Sequence, residues 1–320
     1  MFKGLRGNRF LVLGRAGMDL YADPPGSRTE EAAGFTSALG GSAANIAAGI
    51  VRLGGAASLA TTLSDDAVGH YVRRQLGQYG VDTTHTEWTR GQSRTSLAVV
   101  ETRLENCQSV IYRNNASDFM LNSAQIARID MKAFDALVVT GTALAMEPSR
   151  AATMRAIRQA GAANVPVILD VDYRPYSWVS AEDAAMTCRA AAEASDMIIG
   201  NDAEWDVMAG GSGGLPLAQS LAASSVIAIY KMGEKGSISF AGGDRFEMPI
   251  YRVAALKPTG AGDAFMAGLV TGLAAGLDLP AAVRRGTAAA AIVVTRVGCA
   301  PASPTAQELD AFMRDNPAPG

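Results

Sequence analysis

From about residue 123 onward, short β-branched runs alternate with longer alanine-rich segments punctuated by glycine and proline. The spacing predicts strands over 136–140, 165–170, 197–200, 226–230 and 237–240, with helices over 148–160, 181–194, 202–208, 264–275 and 280–295. Such alternation makes βαβ units, and their right-handed crossovers lead to a parallel sheet covered by helices. The first eighty or so residues fit the same scheme. A strand over 10–13 is followed by a helix over 42–53, opened by Gly40-Gly41 and stopped by Gly54-Gly55, then a strand over 57–63 and a helix over 66–79 ended by Gly80. Residues 83–113 break the scheme: 95–101 and 109–113 carry the alternating pattern of exposed antiparallel strands, a flap over a cleft. Positions 210–214 read as a flexible loop and 315–320 as a disordered tail. No repeat or linker divides the 320 residues, so one α/β domain is expected.

Bulk properties remove several function classes. A net charge of −3 offers no basic surface for nucleic acid. The apolar segment 264–277 is too short for a membrane span, and no signal peptide is recognisable. Cys107, Cys188 and Cys299 are odd in number and far apart, which suggests reduced thiols in a cytoplasmic protein. With His70 and His85 the only histidines and no CxxC, nothing suggests a zinc site.

The run Lys257-Pro258-Thr259-Gly260-Ala261-Gly262-Asp263 sets two glycines and a carboxylate at the start of that apolar helix. Backbone N–H groups at a helix start lack intrahelical partners, and the dipole there favours an anion. Glycine lets those groups approach the anion closely. Asp263 stands beside it as a proton acceptor. An anion cradle with an adjacent base is what phosphoryl transfer to a hydroxyl requires. A glycine turn with a capping acid would share some of these features, but their clustering within seven residues favours the catalytic reading.

Open α/β sheets bind ligands at the carboxyl ends of their strands. Asp19, the Gly40-Gly41 pair with Asn45, the Asp170-Val171-Asp172 stretch with Arg174, and Asn201 with Glu204 all fall at such ends. For a substrate bearing a carboxylate, Arg113 and Arg174 are the candidate guanidinium forks.

Gly-Gly-Ser-Ala-Ala-Asn (40–45) and Pro-Thr-Gly-Ala-Gly-Asp (258–263) resemble the two motifs of the ribokinase, or phosphofructokinase-B, family of carbohydrate kinases. The resemblance runs from about residue 13 to 305. It implies a ribokinase-like three-layer αβα core with a mostly parallel sheet and a small β-sheet lid, here from about 15–40 and 83–118. It also implies ATP and Mg2+ as cofactors and pairing through the lid into a homodimer. Asp263 would be the general base, and Gly260, Ala261 and Gly262 would steady the transferring group. Asp19, Gly40, Gly41 and Asn45 would hold the acceptor. Asn201 and Glu204 resemble the Asn-x-x-Glu motif that handles Mg2+ and phosphates through water, although the same spacing makes a capping box. Lys231 and Gly233 resemble a nucleotide-binding strand end. Three further stretches, 14–21, 170–178 and 293–302, are similar to the branch that phosphorylates 5-dehydro-2-deoxygluconate in inositol catabolism; 170–178 is also similar to kinases of 2-keto-3-deoxygluconate.

Two positions depart from the pattern. Many relatives carry an Asp that helps hold a monovalent cation where this chain has Lys257, so the lysine ammonium is expected to replace that ion. Thr287 stands where many relatives have an Asn near the adenine. The marks of rival nucleotide-binding classes are missing. Gly260-x-Gly262-x-x-Phe265 lacks the third small residue of a dinucleotide fingerprint, and no GxxxxGK[ST] occurs. A non-catalytic sugar-acid sensor would not need Asp263, and a neutral-sugar kinase for fructose or ribose remains the alternative within the family.

Overall fold

The computed structural model describes residues 5–224, 226–317 and 319. In chain order the elements are β1 (Arg9–Leu13), β2 (Gly17–Asp23), β3 (Gly34–Gly40), α1 (Ser42–Arg52), β4 (Ala56–Ser64), α2 (Ala67–Gln78), β5 (Thr86–Thr89), β6 (Ser96–Val100), β7 (Ser109–Tyr112), α3 (Ser123–Ala127), β8 (Ala136–Thr140), α4 (Ser149–Ala162), β9 (Val167–Asp170), α5 (Ala181–Glu193), β10 (Met197–Asn201), α6 (Asp202–Met208), α7 (Gly214–Ala222), β11 (Ile227–Lys231), β12 (Ser237–Ala241), β13 (Asp244–Met248), α8 (Ala261–Ala274), α9 (Leu279–Val294) and α10 (Ala306–Asp315). Nine strands form one sheet in the order β13-β12-β11-β10-β9-β8-β1-β4-β5, and four form a second in the order β3-β2-β6-β7.

Period-two alternation makes the large sheet the middle of three layers. Along β1, Phe10 and Val12 enter the core shared with α1, α8 and α9, while Leu11 and Leu13 enter the core shared with α4 to α7. The same split recurs in β8, where Val138 faces one core and Val139 the other. Helix α8 is apolar all round, with every residue from Ala264 to Leu273 buried.

The strands of the large sheet from β5 through β11 are parallel, and the edge is not. The β11–β12 and β12–β13 pairs are antiparallel. Gly242 and Gly243, with φ of 61° and 94°, make the two-residue hairpin that β12–β13 needs. That Gly-Gly signal was available in the sequence, and β13 was not anticipated from it.

In the small sheet the expectation of antiparallel strands is half met. β2–β3 and β6–β7 are antiparallel, but the two hairpins join through a parallel β2–β6 pair. β6 alternates buried and half-buried positions rather than being exposed. The expected loop over 210–214 ends in α7, whose first amide, Gly214 N–H, donates to Asp206 Oδ1 at 2.8 Å. Helix α10 opens with a reciprocal capping box between Thr305 and Glu308. Asp315 is therefore helical, and the rest of the expected disordered tail lies partly outside the described residues.

The chain leaves β1 for β4 and β5 on one side and returns to β8 on the other, so the order reverses between β1 and β8. That switch point opens a ligand crevice at the strand carboxyl ends. Helix α1 crosses α8 there at close range, because Gly49 presents no side chain: an added Cβ would stand 2.8 Å from Ala267 Cβ. We expect Gly49→Val to force the helices apart and cost about 1–3 kcal/mol, read as a lower urea midpoint. A midpoint at or above that of the wild type would mean that the contact does not set the helix spacing.

Candidate active site

The site begins where α1 and α8 start. Asn45 and Gly49 lie one turn apart on α1, as do Asp263 and Ala267 on α8. The Gly49–Ala267 contact thus brings the other two residues together, and Asn45 Nδ2 donates to Asp263 Oδ2 at 2.9 Å. The two helices therefore point their N-termini the same way. Gly260 caps α8 with φ 82°, and an added Cβ there would meet Cys299 Sγ at 2.9 Å. The first intrahelical bond runs from Ala264 N–H to Gly260 O, so the N–H groups of Ala261, Gly262 and Asp263 have no acceptor within the helix. Gly262 leaves room for Lys231, whose Nζ would lie 3.4 Å from an added Cβ.

Asp263 is partly accessible at its surface yet enclosed by protein on its other sides. Desolvation, then the negative charge of Asp172, pushes its carboxyl up to about 7, with the Asn45 hydrogen bond opposing. A carboxyl at that value can take a proton at neutral pH and hold it.

Strand register lines up the remaining polar groups. Asp170 at the end of β9 lies opposite Thr140 and Ile199, and Asn201 opposite Lys231. Burial raises the Asp170 carboxyl, which Lys231 counters and Glu204, Asp172 and Asp263 reinforce. Asp172 has φ 37°, a strained conformation for a non-glycine residue. It accepts from Ser42 Oγ at 2.5 Å and Thr142 Oγ1 at 3.3 Å, and pairs with Arg174 Nη2 at 2.8 Å. One carboxylate therefore ties together the start of α1, the end of β8 and the end of β9. Asn201 and Glu204 form a complete capping box: Asn201 Oδ1 accepts Glu204 N–H at 2.9 Å, and Glu204 Oε2 accepts Asn201 N–H at 2.7 Å. Burial raises the Glu204 carboxyl, with Lys231 opposing. Gly233 follows β11 at φ 56° with open space where a Cβ would be.

At the other end of the site, Gly40 is bare because Asp19 fills the place of its side chain, 1.9 Å from an added Cβ. Gly41 has φ 95°, and its missing Cβ would strike Arg15 O at 2.5 Å. Asp19 Oδ2 accepts from Tyr21 OH at 3.0 Å, while its Oδ1 is buried with no partner. Burial raises this carboxyl as well, against the pull of Arg15. Tyr21 OH accepts Cys299 N–H at 3.1 Å. Lys257 is wholly buried and donates to Thr259 O at 2.5 Å, just ahead of the cradle; desolvation lowers its pKa. Burial pushes the Cys299 thiol up to about 12, which makes it a structural thiol.

The two guanidinium candidates differ. Arg174 is half-exposed at its tip beside Asp172. Arg113 is buried and committed: Asp118 Oδ2 accepts from its Nη2 at 2.5 Å and its Nε at 3.2 Å, Thr142 O accepts from Nη2 at 3.1 Å, and Phe119 lies beneath it. Ser42, Thr142 and Arg15 were missed as site residues. Ser42 lies within the 40–45 motif but was given no role there, Thr142 carries no distinctive spacing, and only the fold brings them to Asp172. Among the described residues no group of three or more His, Cys, Asp or Glu side chains is arranged to hold a metal, and no helix is long and apolar enough to cross a membrane.

This arrangement matches proteins of known family. The model for the pfkB family of carbohydrate kinases matches residues 8–306. A 5-dehydro-2-deoxygluconokinase of Photobacterium profundum is 41% identical over 310 residues, covering 95% of this chain and 94% of the relative. One from Bacillus subtilis is 34% identical over 308 residues, covering 95% of each. Among solved structures, a Vibrio cholerae fructokinase variant with fructose, ADP and potassium bound superposes with a TM-score of 0.85 at 24% identity, covering 97% of this chain and 99% of that one. A Xylella fastidiosa fructokinase with bound ATP gives 0.85 at 22% identity, with the same coverage. The chain belongs to the pfkB family of carbohydrate kinases and has its ribokinase-like fold.

Proposed function

We propose that this kinase transfers the γ-phosphoryl group of ATP to a hydroxyl of a sugar acid, 5-dehydro-2-deoxygluconate, giving its 6-phosphate in inositol catabolism. The observation that carries the chemistry is Asp263 itself: a partly accessible carboxyl, raised to about 7, in the first turn of a helix whose leading amides are free. The acceptor oxygen bonds to the γ-phosphorus as the bond to the β–γ bridging oxygen breaks, and the hydroxyl proton passes to Asp263. The N–H groups of Ala261, Gly262 and Asp263 donate to the oxygens of the group in transit. Lys231, beside Gly262, adds positive charge. Mg2+ would supply charge neutralisation on the nucleotide phosphates. With no protein cage for it among the described residues, it would rest on phosphate oxygens and on water near Asn201 and Glu204.

Asp19, whose Oδ1 lacks a partner, holds acceptor hydroxyls together with Asn45 and the bare edge of Gly40-Gly41. Arg174 and Arg113 offer guanidinium hydrogen-bond donors on the acceptor side, their charge being shared with Asp172 and Asp118. The small sheet serves as the lid over this end, and pairing of two lids in a homodimer covers Phe35, Val110 and Tyr112, which stand exposed on β3 and β7. The names of the relatives favour 5-dehydro-2-deoxygluconate over 2-keto-3-deoxygluconate or a neutral sugar.

A panel of sugars and sugar acids assayed for ATP consumption tests the substrate. We expect 5-dehydro-2-deoxygluconate to give the highest kcat/KM, and a clear preference for fructose or ribose would overturn the sugar-acid assignment. Asp263→Asn should lower kcat by at least about a hundredfold with ATP affinity unchanged; turnover near the wild-type rate would remove the base. Because the carboxylate form is the active one, kcat/KM should fall as pH drops through about 7. Asp172→Asn removes the like charge that most raises Asp263, so that acid limb should move to lower pH; an unmoved limb would assign it to another group. The Lys257 ammonium stands in for a monovalent ion, so exchanging K+ for a bulky organic cation should change the rate less than about twofold, and a large loss would refute the substitution.

A further inference from the structure

We infer that Arg15, rather than Arg113 or Arg174, is the residue that reads the acceptor's carboxylate. The inference rests on the sugar-acid assignment above and supplies the specificity contact it leaves open.

Arg15 leaves β1 at its carboxyl end, at the switch point, and its backbone oxygen packs under Gly41 and accepts from Ala44 N–H at 3.3 Å. The residue is only 8% exposed. Its side chain's one hydrogen bond among the described residues runs from Nη1 to Ser96 Oγ on β6, at 3.0 Å. Among the described residues no carboxylate lies within ion-pair distance of it, and here it is unlike other buried or half-buried arginines of the chain. Arg113 has Asp118, Arg174 has Asp172, Arg150 has Asp183 and Arg103 has Glu101. Among the described residues the Nε and Nη2 of Arg15 have no protein partner and stay within reach of solvent, so an arriving carboxylate can take both in a bidentate fork without displacing an internal anion.

The surroundings say which ligand. Asp19 lies in the field of Arg15 without pairing to it, and its unpartnered Oδ1 suits a sugar hydroxyl. Tyr176, exposed just after Pro175, feels the charges of Arg174, Arg15 and Arg113, which come from three different segments. Two of the three are already neutralised in the free protein. Arg113 keeps one unpartnered donor, Nη1, and can add a hydrogen bond, but its charge belongs to Asp118. Arg15 alone brings unspent positive charge. The contact with Ser96 also links it to the small sheet, so a carboxylate on Arg15 would be sensed where core and lid join.

The test compares binding of gluconate, a sugar carboxylate, with glucitol, its neutral counterpart, to the full chain by calorimetry, alongside turnover of the sugar-acid panel. A lost hydrogen bond to a charged group corresponds to roughly a 10- to 100-fold change. Arg15→Met should lose about that factor for gluconate and less than about threefold for glucitol. Arg15→Lys, which keeps charge and loses the fork, should fall between and decides the matter if the methionine variant does not fold. Arg174→Met should weaken both ligands alike. Equal losses for gluconate and glucitol in the Arg15 variants, or a carboxylate preference that vanishes only with Arg174→Met, would overturn the inference. A wild type that shows no preference for gluconate would overturn it too. If gluconate binding depends on Arg15 while no sugar acid is phosphorylated, the inference stands and the proposed function falls. If sugar acids are phosphorylated and Arg15→Met keeps their advantage over fructose, the reverse holds.

Discussion

The hydrogen bond between Asn45 and Asp263 joins the first turns of two helices more than two hundred residues apart in sequence. It exists because Gly49 and Ala267 let α1 and α8 touch one turn further along. Two helix N-termini thereby end side by side at the carboxyl ends of the central strands. Each brings partial positive charge and unpaired amides, and together they favour an anion at one point. The contact between small residues and the position of Asp263 are one constraint: moving the helices apart would misplace the carboxyl and dilute the positive field at the two helix starts.

That constraint has an electrostatic counterpart. Asp170, Asp172, Glu204 and Asp263 crowd the strand ends, and mutual repulsion with desolvation raises three of them. Lys231 and Arg174 offset this in part, and a bound cation with its nucleotide would offset more. Desolvation first, and then the charge of Asp172, raises Asp263 into the range where a carboxyl exchanges protons at neutral pH. A free aspartate, near 4, would be a poorer base. The strained backbone at Asp172 is held by Ser42, Thr142 and Arg174, so the residue that helps raise the Asp263 carboxyl also fixes three elements around it.

Much of this was legible in the sequence, for identifiable reasons. The parallel core follows from strand–helix alternation, and the cradle from glycines placed at the mouth of an apolar helix. What escaped depended on pairing across the chain. The antiparallel β12–β13 edge and the parallel β2–β6 junction are set by which strands meet, which no local period records. Helices α3 and α10 were missed although both open with reciprocal capping boxes, Asn122 with Gln125 and Thr305 with Glu308, and α7 was missed because Gly213 gives it no side-chain cap. In the site, motif residues such as Asn45, Gly260 and Asp263 were recognisable by type and spacing. Ser42, Thr142 and Arg15 acquire meaning only through their partners, or, for Arg15, through the partner it does not have. Arg113 shows the converse: its residue type was plain in the sequence, while its pairing with Asp118 is set by packing.

The central claim is positional, so a position tests it most directly. A crystal structure with a non-hydrolysable ATP analogue and the sugar acid bound should put the acceptor oxygen within about 3 Å of an Asp263 carboxyl oxygen. The terminal phosphate should lie on the amides of Ala261 to Asp263. An acceptor hydroxyl remote from Asp263, or a terminal phosphate bound away from the start of α8, would contradict it.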